Sequence, residues 1–596
     1  MPTSLLIADL LRDYRARRLT PTQLVETLVA RIERAEQRHV WICRLPSERL
    51  LGFAQALEAR RVEDLPLYGI PFVIKDNIDL AGVPTTAGCP QYAYMPARSA
   101  PAVEMLINAG AIPLGKTNLD QFATGLAGTR SPYGACRNSF NSDYISGGSS
   151  SGSAVAVATG LASFGLGTDT AGSGRVPAAF NNIVGLKPSC GRISTRGVVP
   201  ACRSIDCVSI FSLTCQDAAR VLSVVEGFDA EDPYSRTLAD VPIRGRRFGV
   251  PRSDQLEFFG DLEYARLFDH ALARLASMGG SVAEIDFAPF LETARLLYEG
   301  PWIAERYAAI RDFIEGCGAA MHPATREIIA AGACASAVGL FEAQHRLMSL
   351  RRATEEAFGV VDLVLTPTAG TIYPRSSVEA SPIGLNANLG YYTNFMNLLD
   401  LTGLAVPGGF RPDGLPFGVT IIAPKGTERA LLDLGGRLHA ALATRLGATD
   451  WSLSGAPDDE SADAPGYTEI AVCGAHMQGL PLNHQLRDAG GCLARTARTR
   501  ASYRLYALPG GPPQRPGLLR VRDGGASIDV EVWALESARL ASFLAKIPAP
   551  LSIGKVELQS GEAVLGFLCE PCELGDAIDI TGFGGWRRYL ELARQA

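Results

Sequence analysis

Short apolar runs alternate with amphipathic stretches through most of the first 450 residues, and this alternation constrains the fold more than any other feature. The runs have the length of buried strands and lie at 72–74, 112–114 and 361–365. Between them, apolar residues recur at helical spacing over 102–109, 262–278, 294–314 and 428–446. Because strands and helices alternate in this way in α/β proteins, the pattern predicts an α/β domain with a mainly parallel sheet.

The composition changes at residues 451–466, "WSLSGAPDDESADAPG", which are acidic and small and include proline. Such a segment has little to bury, so it is typical of a linker. It divides the chain into a larger domain over 1–450 and a smaller one over 467–596. Strand-like runs at 469–472, 503–508 and 528–533, separated by Gly/Pro turns, predict an α+β or mostly β fold for the smaller domain.

Charge, hydropathy and cysteine content argue against a nucleic-acid partner, a membrane span and a secreted protein. The net charge is -6 without a Lys/Arg cluster, which argues against a nucleic-acid partner. No run of about 18 apolar residues is present and the first residues lack a basic signal-peptide region, so no membrane span or secretion signal is expected. Thirteen scattered cysteines do not form a disulfide framework, which favours a reducing, cytoplasmic location.

The segment 144–180, "YISGGSSSGSAVAVATGLASFGLGTDTAGSGRVPAAF", has the Ser/Gly content of a flexible linker. Its middle, 154–167, is apolar and compact, which predicts that the segment is buried instead. None of the seven histidines lies between residues 40 and 269, so a Ser-His-Asp triad needs a histidine from a distant element. A different general base is therefore expected for these serines.

Lys75 is the candidate base, because it follows the apolar run 72–74 in "GIPFVIKDNID" and so lies at a strand end. Burial favours the neutral amine and lowers the pKa of a lysine towards the range of a general base. The alternative is a solvated lysine on a loop.

Three segments together resemble the amidase signature family: "GIPFVIKDNID", "GGSSSGSAVAVATG" and "GTDTAGSGRVPAAF". The resemblance covers about residues 20–445 and implies an α/β/α domain with a central mixed sheet. It also implies a Ser-cisSer-Lys triad, with Ser173 as nucleophile, Ser149 as bridging serine and Lys75 as base. Ser151 stands where the family usually has glycine, and its effect on the proton path is left open.

The resemblance also implies which backbone groups stabilise the negative charge that develops on the substrate carbonyl oxygen during the reaction. The backbone N–H groups of Thr170, Ala171, Gly172 and Ser173 lie on the expected tight turn and are the predicted oxyanion hole. Family members commonly carry Gly-Gly-Ser-Ile here; Ala171 replaces a glycine but keeps its N–H. Asp169 and Arg175 flank this turn and either pair to hold it or are solvated separately.

Two further segments, "VPAAFNNIVGLKPS" and "LLYEGPWIAERYAA", resemble the allophanate hydrolase branch of the family. Allophanate is a small anion, a urea with a carboxylate on one nitrogen. Tyr298 and Arg306 are expected on one face of a single helix, where Arg306 clasps the carboxylate and Tyr298 donates a hydrogen bond. The alternative is a surface arginine paired with Glu299 or Glu305. Gly125 is expected to allow close approach of backbone to substrate.

The segment "VCGAHMQGLPLNHQL" resembles the extra domain of allophanate hydrolases, which has a γ-glutamylcyclotransferase-like fold. In that branch the domain is thought to help break down the N-carboxycarbamate released by the amidase domain. His476 is the candidate residue here, with Asn483 and His484 as weaker ones. The alternative is a zinc site built from Cys473, His476, Cys569 and Cys572.

The resemblance implies that the chain hydrolyses allophanate to ammonia and carbon dioxide without a cofactor. One alternative is an amidase acting on another small amide, such as a malonamate-like anion. Another is a non-catalytic subunit that assembles with a urea carboxylase. We also expect a homodimer and a functional coupling to urea carboxylase.

Overall fold

The structure is a computed structural model that describes residues 4–243, 245–443, 445–452, 467–489 and 491–593. The chain divides into two compact units, residues 1–454 and 455–596. The domain limits expected from the sequence stay a prediction. Of the expected linker 451–466, residues 453–466 lie outside the described residues.

An eleven-stranded mixed sheet forms the centre of the first unit. Its strands are β1 (Trp41–Arg44), β2 (Pro71–Lys75), β3 (Ile112–Thr117), β4 (Phe164–Asp169), β5 (Val184–Lys187), β6 (Cys207–Ser212), β7 (Arg247–Pro251), β8 (Ser281–Ile285), β9 (Leu363–Pro367), β10 (Leu401–Phe410) and β11 (Pro416–Pro424). They lie in the order β1-β3-β2-β4-β6-β5-β10-β11-β9-β7-β8.

The mixed sheet implied by the family resemblance is confirmed, whereas the mainly parallel sheet expected from alternation is wrong. Within the described residues of this sheet, parallel pairing is confined to β2 with β3 and β4, and to β7 with β8 and β9. The remaining pairs are antiparallel, as in the β4–β6 and β10–β11 pairs. Fully buried strands look alike in sequence whichever way their neighbours run, so alternation could not show the direction.

Helices of the first unit surround this sheet. They are α1 (Ile7–Arg15), α2 (Pro21–Arg34), α3 (Ser47–Glu58), α4 (Pro101–Asn108), α5 (Ser151–Ala158), α6 (Val176–Phe180), α7 (Cys215–Val225), α8 (Leu262–Ser277), α9 (Ala288–Glu299), α10 (Trp302–Ala309), α11 (Arg311–Cys317), α12 (Pro323–Ala330), α13 (Ala337–Val360), α14 (Arg375–Ala380), α15 (Gly384–Leu389) and α16 (Glu428–Leu442). The predicted helices at 102–109, 262–278 and 428–446 are confirmed as α4, α8 and α16.

The single helix expected over 294–314 is wrong, because three helices, α9 to α11, occupy this region. Helix α9 ends before Gly300 and α10 begins after Pro301. Proline has no N–H to donate and its ring clashes with the preceding turn, so a continuous helix cannot pass this point.

The Ser/Gly-rich segment is buried, as its apolar middle predicts, and it is no linker. Every residue of α5 is buried, and the helix packs on β2, β4 and β6. The small side chains are needed for this close packing: a Cβ at Gly152 would lie 2.4 Å from the carbonyl oxygen of Val40. The serines that precede α5 and the loop that follows β4 are thereby held inside the protein.

The second unit has an α+β fold, as predicted. Its strands are β12 (Tyr467–Val472), β13 (Cys492–Arg498), β14 (Tyr503–Ala507), β15 (Pro516–Arg520), β16 (Asp529–Glu536), β17 (Leu551–Glu557), β18 (Ala563–Cys569) and β19 (Ile578–Asp579). They form a five-stranded sheet, β13-β16-β12-β18-β17, and a three-stranded sheet, β15-β14-β19. Its described residues also form the helices α17 (Asn483–Asp488), α18 (Ser537–Leu544) and α19 (Trp586–Ala593). Likeness to a γ-glutamylcyclotransferase stays a prediction.

Among the described residues, no single helix is both long and apolar enough to cross a membrane. One pair of helical segments, Pro323–Cys334 and Ala337–Val360, has the length and apolar composition of a membrane span when the two are taken together. The pair is bent by 100°.

Candidate active site

Lys75 is the last residue of β2 and its side chain is fully buried. Its Nζ lies 2.7 Å from Oγ of Ser149 and 2.7 Å from Oγ1 of Thr168. Burial lowers the pKa of Lys75 from 10.5 to about 7, although Asp120, Asp206 and Asp169 oppose this shift. The amine is therefore poised to be neutral near physiological pH.

Ser149 is also fully buried and follows a cis peptide bond between Gly148 and Ser149. A Cβ at Gly148 would lie 2.2 Å from Oδ2 of Asp120, so the position requires glycine. Backbone N–H groups of Gly128 and Arg130 donate to the Asp120 carboxylate at 2.9 and 2.8 Å. The backbone N–H of Asp120 donates to the Ser149 carbonyl at 3.1 Å, so Asp120 joins the loop around residue 128 to the segment that carries Ser149.

Ser173 lies on the loop between β4 and α6, and 3% of its surface is exposed. Within the described part of the chain, its hydroxyl group makes no hydrogen bond. Ser149 and Lys75 are in contact, whereas the hydrogen bond from Ser173 to Ser149 that a proton relay needs is absent from the described contacts. Such contacts are often long in ligand-free enzymes and shorten when substrate binds.

Asp169 and Arg175 form a fully buried, bidentate ion pair, with both nitrogen–oxygen distances at 2.9 Å. The pairing expected from the sequence is confirmed, and the alternative of two solvated charges is wrong. Burial alone would raise the pKa of Asp169, but Arg175 brings it below its usual range. The same carboxylate accepts from the backbone N–H groups of Gly172 and Gly174, at 2.8 and 3.0 Å. The ion pair thus fixes both sides of Ser173.

The oxyanion hole stays a prediction, and one of its four predicted N–H groups already has an acceptor in the protein. The N–H of Gly172 already donates to Asp169, so it is not free for an oxyanion. The N–H groups of Thr170, Ala171 and Ser173 have no acceptor within the described residues. Gly172 has a φ of +141°, and a Cβ there would meet the Thr393 hydroxyl at 2.4 Å. Its role here is to shape the turn.

Asp206 supports the loop that carries Ser173, and sequence reasoning does not find it. It precedes β6, and Thr170 follows β4; the register of this antiparallel pair, Asp169 opposite Cys207, makes them neighbours. The Thr170 hydroxyl donates to Asp206, as do the N–H groups of residues 201 and 202. Burial raises the pKa of Asp206 to about 6. A carboxylate before a strand gives no sequence signal by itself.

Thr168 is a second residue of the site that sequence reasoning misses. It lies on β4 beside β2, which brings its hydroxyl to Lys75 Nζ. The side-chain amide of Asn77 donates to the same hydroxyl at 3.3 Å. Ser151, whose role the sequence leaves open, donates to the carbonyl of Asn118 at 3.4 Å.

Arg306 and Tyr298 meet although they lie on different helices, α10 and α9. Arg306 Nη2 lies 3.4 Å from the Tyr298 hydroxyl, and the guanidinium carbon is 5.3 Å from the centre of the tyrosine ring. Arg306 Nη1 donates to Thr124 Oγ1 at 3.0 Å. The expectation of two residues on one helix face is wrong, because the chain breaks at Pro301 and brings them together across the break.

Arg306 is 2% exposed and its Nε has no hydrogen-bond partner in the described part of the chain. The alternative of a surface arginine is wrong, because Arg306 is buried and forms no ion pair with Glu299 or Glu305 among the described contacts; Glu305 accepts from Ser204. The charge of Arg306 lowers the pKa of Lys75, and so the two side chains are within electrostatic reach. A buried cation with a free donor, near Lys75, is suited to bind an anion.

Gly125 follows Thr124 of this cluster and lies against the Asp120 carboxylate. A Cβ at this position would lie 2.6 Å from Oδ2 of Asp120. The close approach that requires glycine is therefore to the Asp120 carboxylate. A role in substrate binding stays a prediction.

His476 follows β12 in the second unit. Its ring stacks on Phe567 at 5.2 Å and 17°, with Phe543 edge-on at 5.6 Å. Its Nε2 lies 3.1 Å from Gln485 Oε1, and Asn483 donates to its carbonyl oxygen at 2.9 Å. His484, the other candidate, is exposed and contacts the Pro481 carbonyl.

No group of three or more His, Cys, Asp or Glu side chains that could hold a metal ion occurs among the described residues. Of the alternative zinc ligands, Cys473 and Cys569 are buried, whereas Cys572 is exposed.

Two family models match the chain. Residues 23–432 match the amidase model, and residues 468–591 match the model of the allophanate hydrolase C-terminal domain. Urea amidolyase from Saccharomyces cerevisiae is 42% identical over 96% of this chain, which spans 32% of that relative's length. The chain thus spans about a third of the urea amidolyases it matches.

Solved structures extend this comparison. An allophanate hydrolase from Kluyveromyces lactis is 41% identical, with a TM-score of 0.76 over 99% of this chain and 99% of that one. A crystal structure of an amidase is 28% identical, with a TM-score of 0.62 over 74% of this chain and 100% of its own. The chain belongs to the amidase family and carries an allophanate hydrolase C-terminal domain.

Proposed function

We propose that the chain is an amidohydrolase that cleaves allophanate to ammonia and carbon dioxide. The observation that carries this proposal is the likeness to the K. lactis allophanate hydrolase, which runs through both units and covers 99% of each chain. The amidase of known structure, in contrast, covers 74% of this chain.

The buried cation supports an anionic substrate. Among the described residues, the Nε of Arg306 has no hydrogen-bond partner, while its two other nitrogens contact Thr124 and Tyr298. The guanidinium can therefore donate to a substrate carboxylate. Desolvating a cation is costly unless an opposite charge or strong acceptors compensate. The allophanate carboxylate supplies that charge, and holding it orients the terminal amide towards Ser173.

Lys75, Ser149 and Ser173 carry the first chemical step. The neutral amine of Lys75 takes the proton of Ser149, and Ser149 takes that of Ser173, as the Ser173 oxygen attacks the amide carbon. Negative charge then develops on the carbonyl oxygen, where the N–H groups of Thr170, Ala171 and Ser173 stabilise it.

Collapse of the tetrahedral intermediate releases ammonia and leaves an N-carboxycarbamoyl ester on Ser173. Lys75, now protonated, returns its proton to the departing nitrogen. Water then attacks the ester, with Lys75 again as base, and releases N-carboxycarbamate. No cofactor is needed, because every proton moves between groups of this site.

A comparison of amides tests the proposal. Ammonia release by the purified chain should be fast with allophanate, slower with malonamate and near background with uncharged fatty amides. Preference for malonamate would favour the amidase alternative, and no turnover with any amide would favour the non-catalytic subunit.

Arg306→Gln is expected to raise KM for allophanate about tenfold to a hundredfold, because a charge-assisted hydrogen bond contributes roughly 1.5–3 kcal/mol. Hydrolysis of an uncharged small amide should change little, since that substrate never used the guanidinium. Tyr298→Phe should raise KM for allophanate by a smaller factor, again with little change for the uncharged amide. Arg311→Gln, an exposed arginine at the start of the next helix, is the matched control. Equal losses with charged and neutral amides would show that Arg306 supports the fold.

The second unit is proposed to complete the reaction by speeding the breakdown of N-carboxycarbamate, with His476 as its central residue. The chain is further proposed to act as a homodimer in the cytoplasm. Coupling to a urea carboxylase is part of this proposal, because the S. cerevisiae and K. lactis relatives are urea amidolyases of which this chain spans a part.

A further inference from the structure

The segment 121–125 of the first unit has a backbone conformation that residues with a side chain rarely adopt. Phe122 and Ala123 have φ angles of +50° and +52°, in the left-handed region that favours glycine. Both residues are buried, and the Phe122 ring packs edge-on against Tyr92 at 5.1 Å. Such a conformation persists only where the surroundings impose it, and it is concentrated at functional sites. Here it sets the position of the next residue, Thr124.

Every polar group of Thr124 has a partner. Its N–H donates to the Gln121 carbonyl at 3.0 Å, and its carbonyl accepts from Arg130 Nη1 at 2.9 Å. Its hydroxyl donates to the Phe122 carbonyl at 3.1 Å and accepts from Arg306 Nη1 at 3.0 Å. A hydroxyl has one proton, so the bond to Phe122 leaves only its acceptor capacity for Arg306. Thr124 is therefore a fixed acceptor for one nitrogen of the guanidinium.

The contact with Thr124 decides which edge of Arg306 remains for a ligand. With Nη1 engaged, the other donors are Nη2, which lies 3.4 Å from the Tyr298 hydroxyl, and Nε, which has no partner within the described residues. In a planar guanidinium, Nε–H and one N–H of Nη2 are parallel and lie along the same edge. Their spacing matches the two oxygens of a carboxylate, which binds such an edge through two hydrogen bonds.

We propose that Thr124 determines specificity by holding Nη1 of Arg306, so that the substrate carboxylate binds side-on to the Nε–Nη2 edge. This inference rests on the proposed function, in which Arg306 holds that carboxylate. Thr124 is a positioning residue, because it acts through Arg306 and need not touch the substrate.

The fixed edge separates carboxylates from carboxamides of the same shape. A carboxamide offers one acceptor oxygen and turns its NH₂ group towards the second donor of the edge, so one hydrogen bond is lost and two donors face each other. A guanidinium that could rotate would meet the single oxygen with any of its nitrogens. Holding Nη1 therefore selects amides that carry a carboxylate over their uncharged carboxamide analogues.

Malonamate and malonamide test this selection, because a carboxylate in the first is a carboxamide in the second. Their dissociation constants are measured by calorimetry on the full chain carrying Ser173→Ala, so that neither amide is consumed. We expect malonamate to bind more tightly than malonamide, and Thr124→Val to reduce this preference about tenfold. Valine has nearly the shape of threonine without the hydroxyl, so the side-chain packing is kept.

Further variants separate positioning from folding. Thr124→Ser keeps the hydroxyl and should retain most of the preference, whereas a loss of packing alone would weaken the binding of both amides equally. In an Arg306→Gln background, Thr124→Val should change the preference no further, since its effect passes through the guanidinium. Thr325→Val is the matched control and should keep the preference, because this buried threonine of α12 has a hydroxyl without a partner among the described residues.

An unchanged preference in Thr124→Val, or an equal loss in the Arg306→Gln background, would overturn the inference. The proposed function is tested separately, by ammonia release from allophanate with the wild-type chain. Absence of release would refute the proposed function, whereas the ratio of the two dissociation constants decides the role of Thr124 in either case.

Discussion

Ser173→Ala should reduce allophanate turnover by at least about 10⁴-fold, because loss of the nucleophile removes the covalent route entirely. The neighbouring hydroxyls cannot replace it. Ser150 donates to the Thr168 carbonyl, Ser151 to the Asn118 carbonyl, and Thr170 to Asp206. Ammonia release in a coupled assay measures the loss.

The melting temperature should stay at the wild-type value, since the Ser173 hydroxyl makes no hydrogen bond in the described part of the chain. Ser149→Ala should cost less activity than Ser173→Ala, because a water molecule can bridge the space between Lys75 and Ser173. Activity of Ser173→Ala near the wild-type level would assign the nucleophile to another residue.

Lys75→Met should reduce kcat nearly as far as Ser173→Ala, because base and nucleophile act as a unit and their effects do not add. Methionine fills most of the volume of the buried lysine without offering a base. The variant should fold, since Lys75 makes its hydrogen bonds to two hydroxyl groups and to no carboxylate. Kinetics and a melting curve on the same preparation check both expectations.

Two other buried lysines show why Lys75 is different. Lys116 lies 3.0 Å from Asp76, which compensates its charge. Lys187 donates to the carbonyl oxygens of Pro188 and Leu401 at 2.8 and 2.6 Å. Lys75 contacts two hydroxyl groups instead, and burial lowers its pKa to about 7. Full activity of Lys75→Met would place the base elsewhere.

Sequence alone can predict the parts of the site that lie on continuous segments. Lys75 is recognisable because a short apolar run predicts a buried strand and the lysine ends it. The compact middle of the Ser/Gly-rich segment predicts burial, and α5 is buried throughout. In both cases local hydrophobicity decides the structure, so local sequence is sufficient.

The parts that sequence cannot predict depend on contacts between segments. Thr168 reaches Lys75 through the pairing of β4 with β2, and Asp206 reaches Thr170 through the register of β4 with β6. The N–H of Gly172 points to a carboxylate whose position depends on the ion pair with Arg175. Likewise, the contact between the two predicted substrate-binding side chains crosses a helix break that a single-helix interpretation overlooks.

The most direct test of the account is the pH dependence of kcat/KM for allophanate. If neutral Lys75 is the base, kcat/KM should fall tenfold per pH unit below about pH 7 and level off above it. This inflection lies far below the usual lysine pKa of 10.5. His322→Gln is the control, because this histidine is half-buried and lies near Asp120 and Arg130. The same inflection near pH 7 in wild type and His322→Gln is the predicted result. An inflection that disappears in His322→Gln would contradict the assignment of Lys75 as the base.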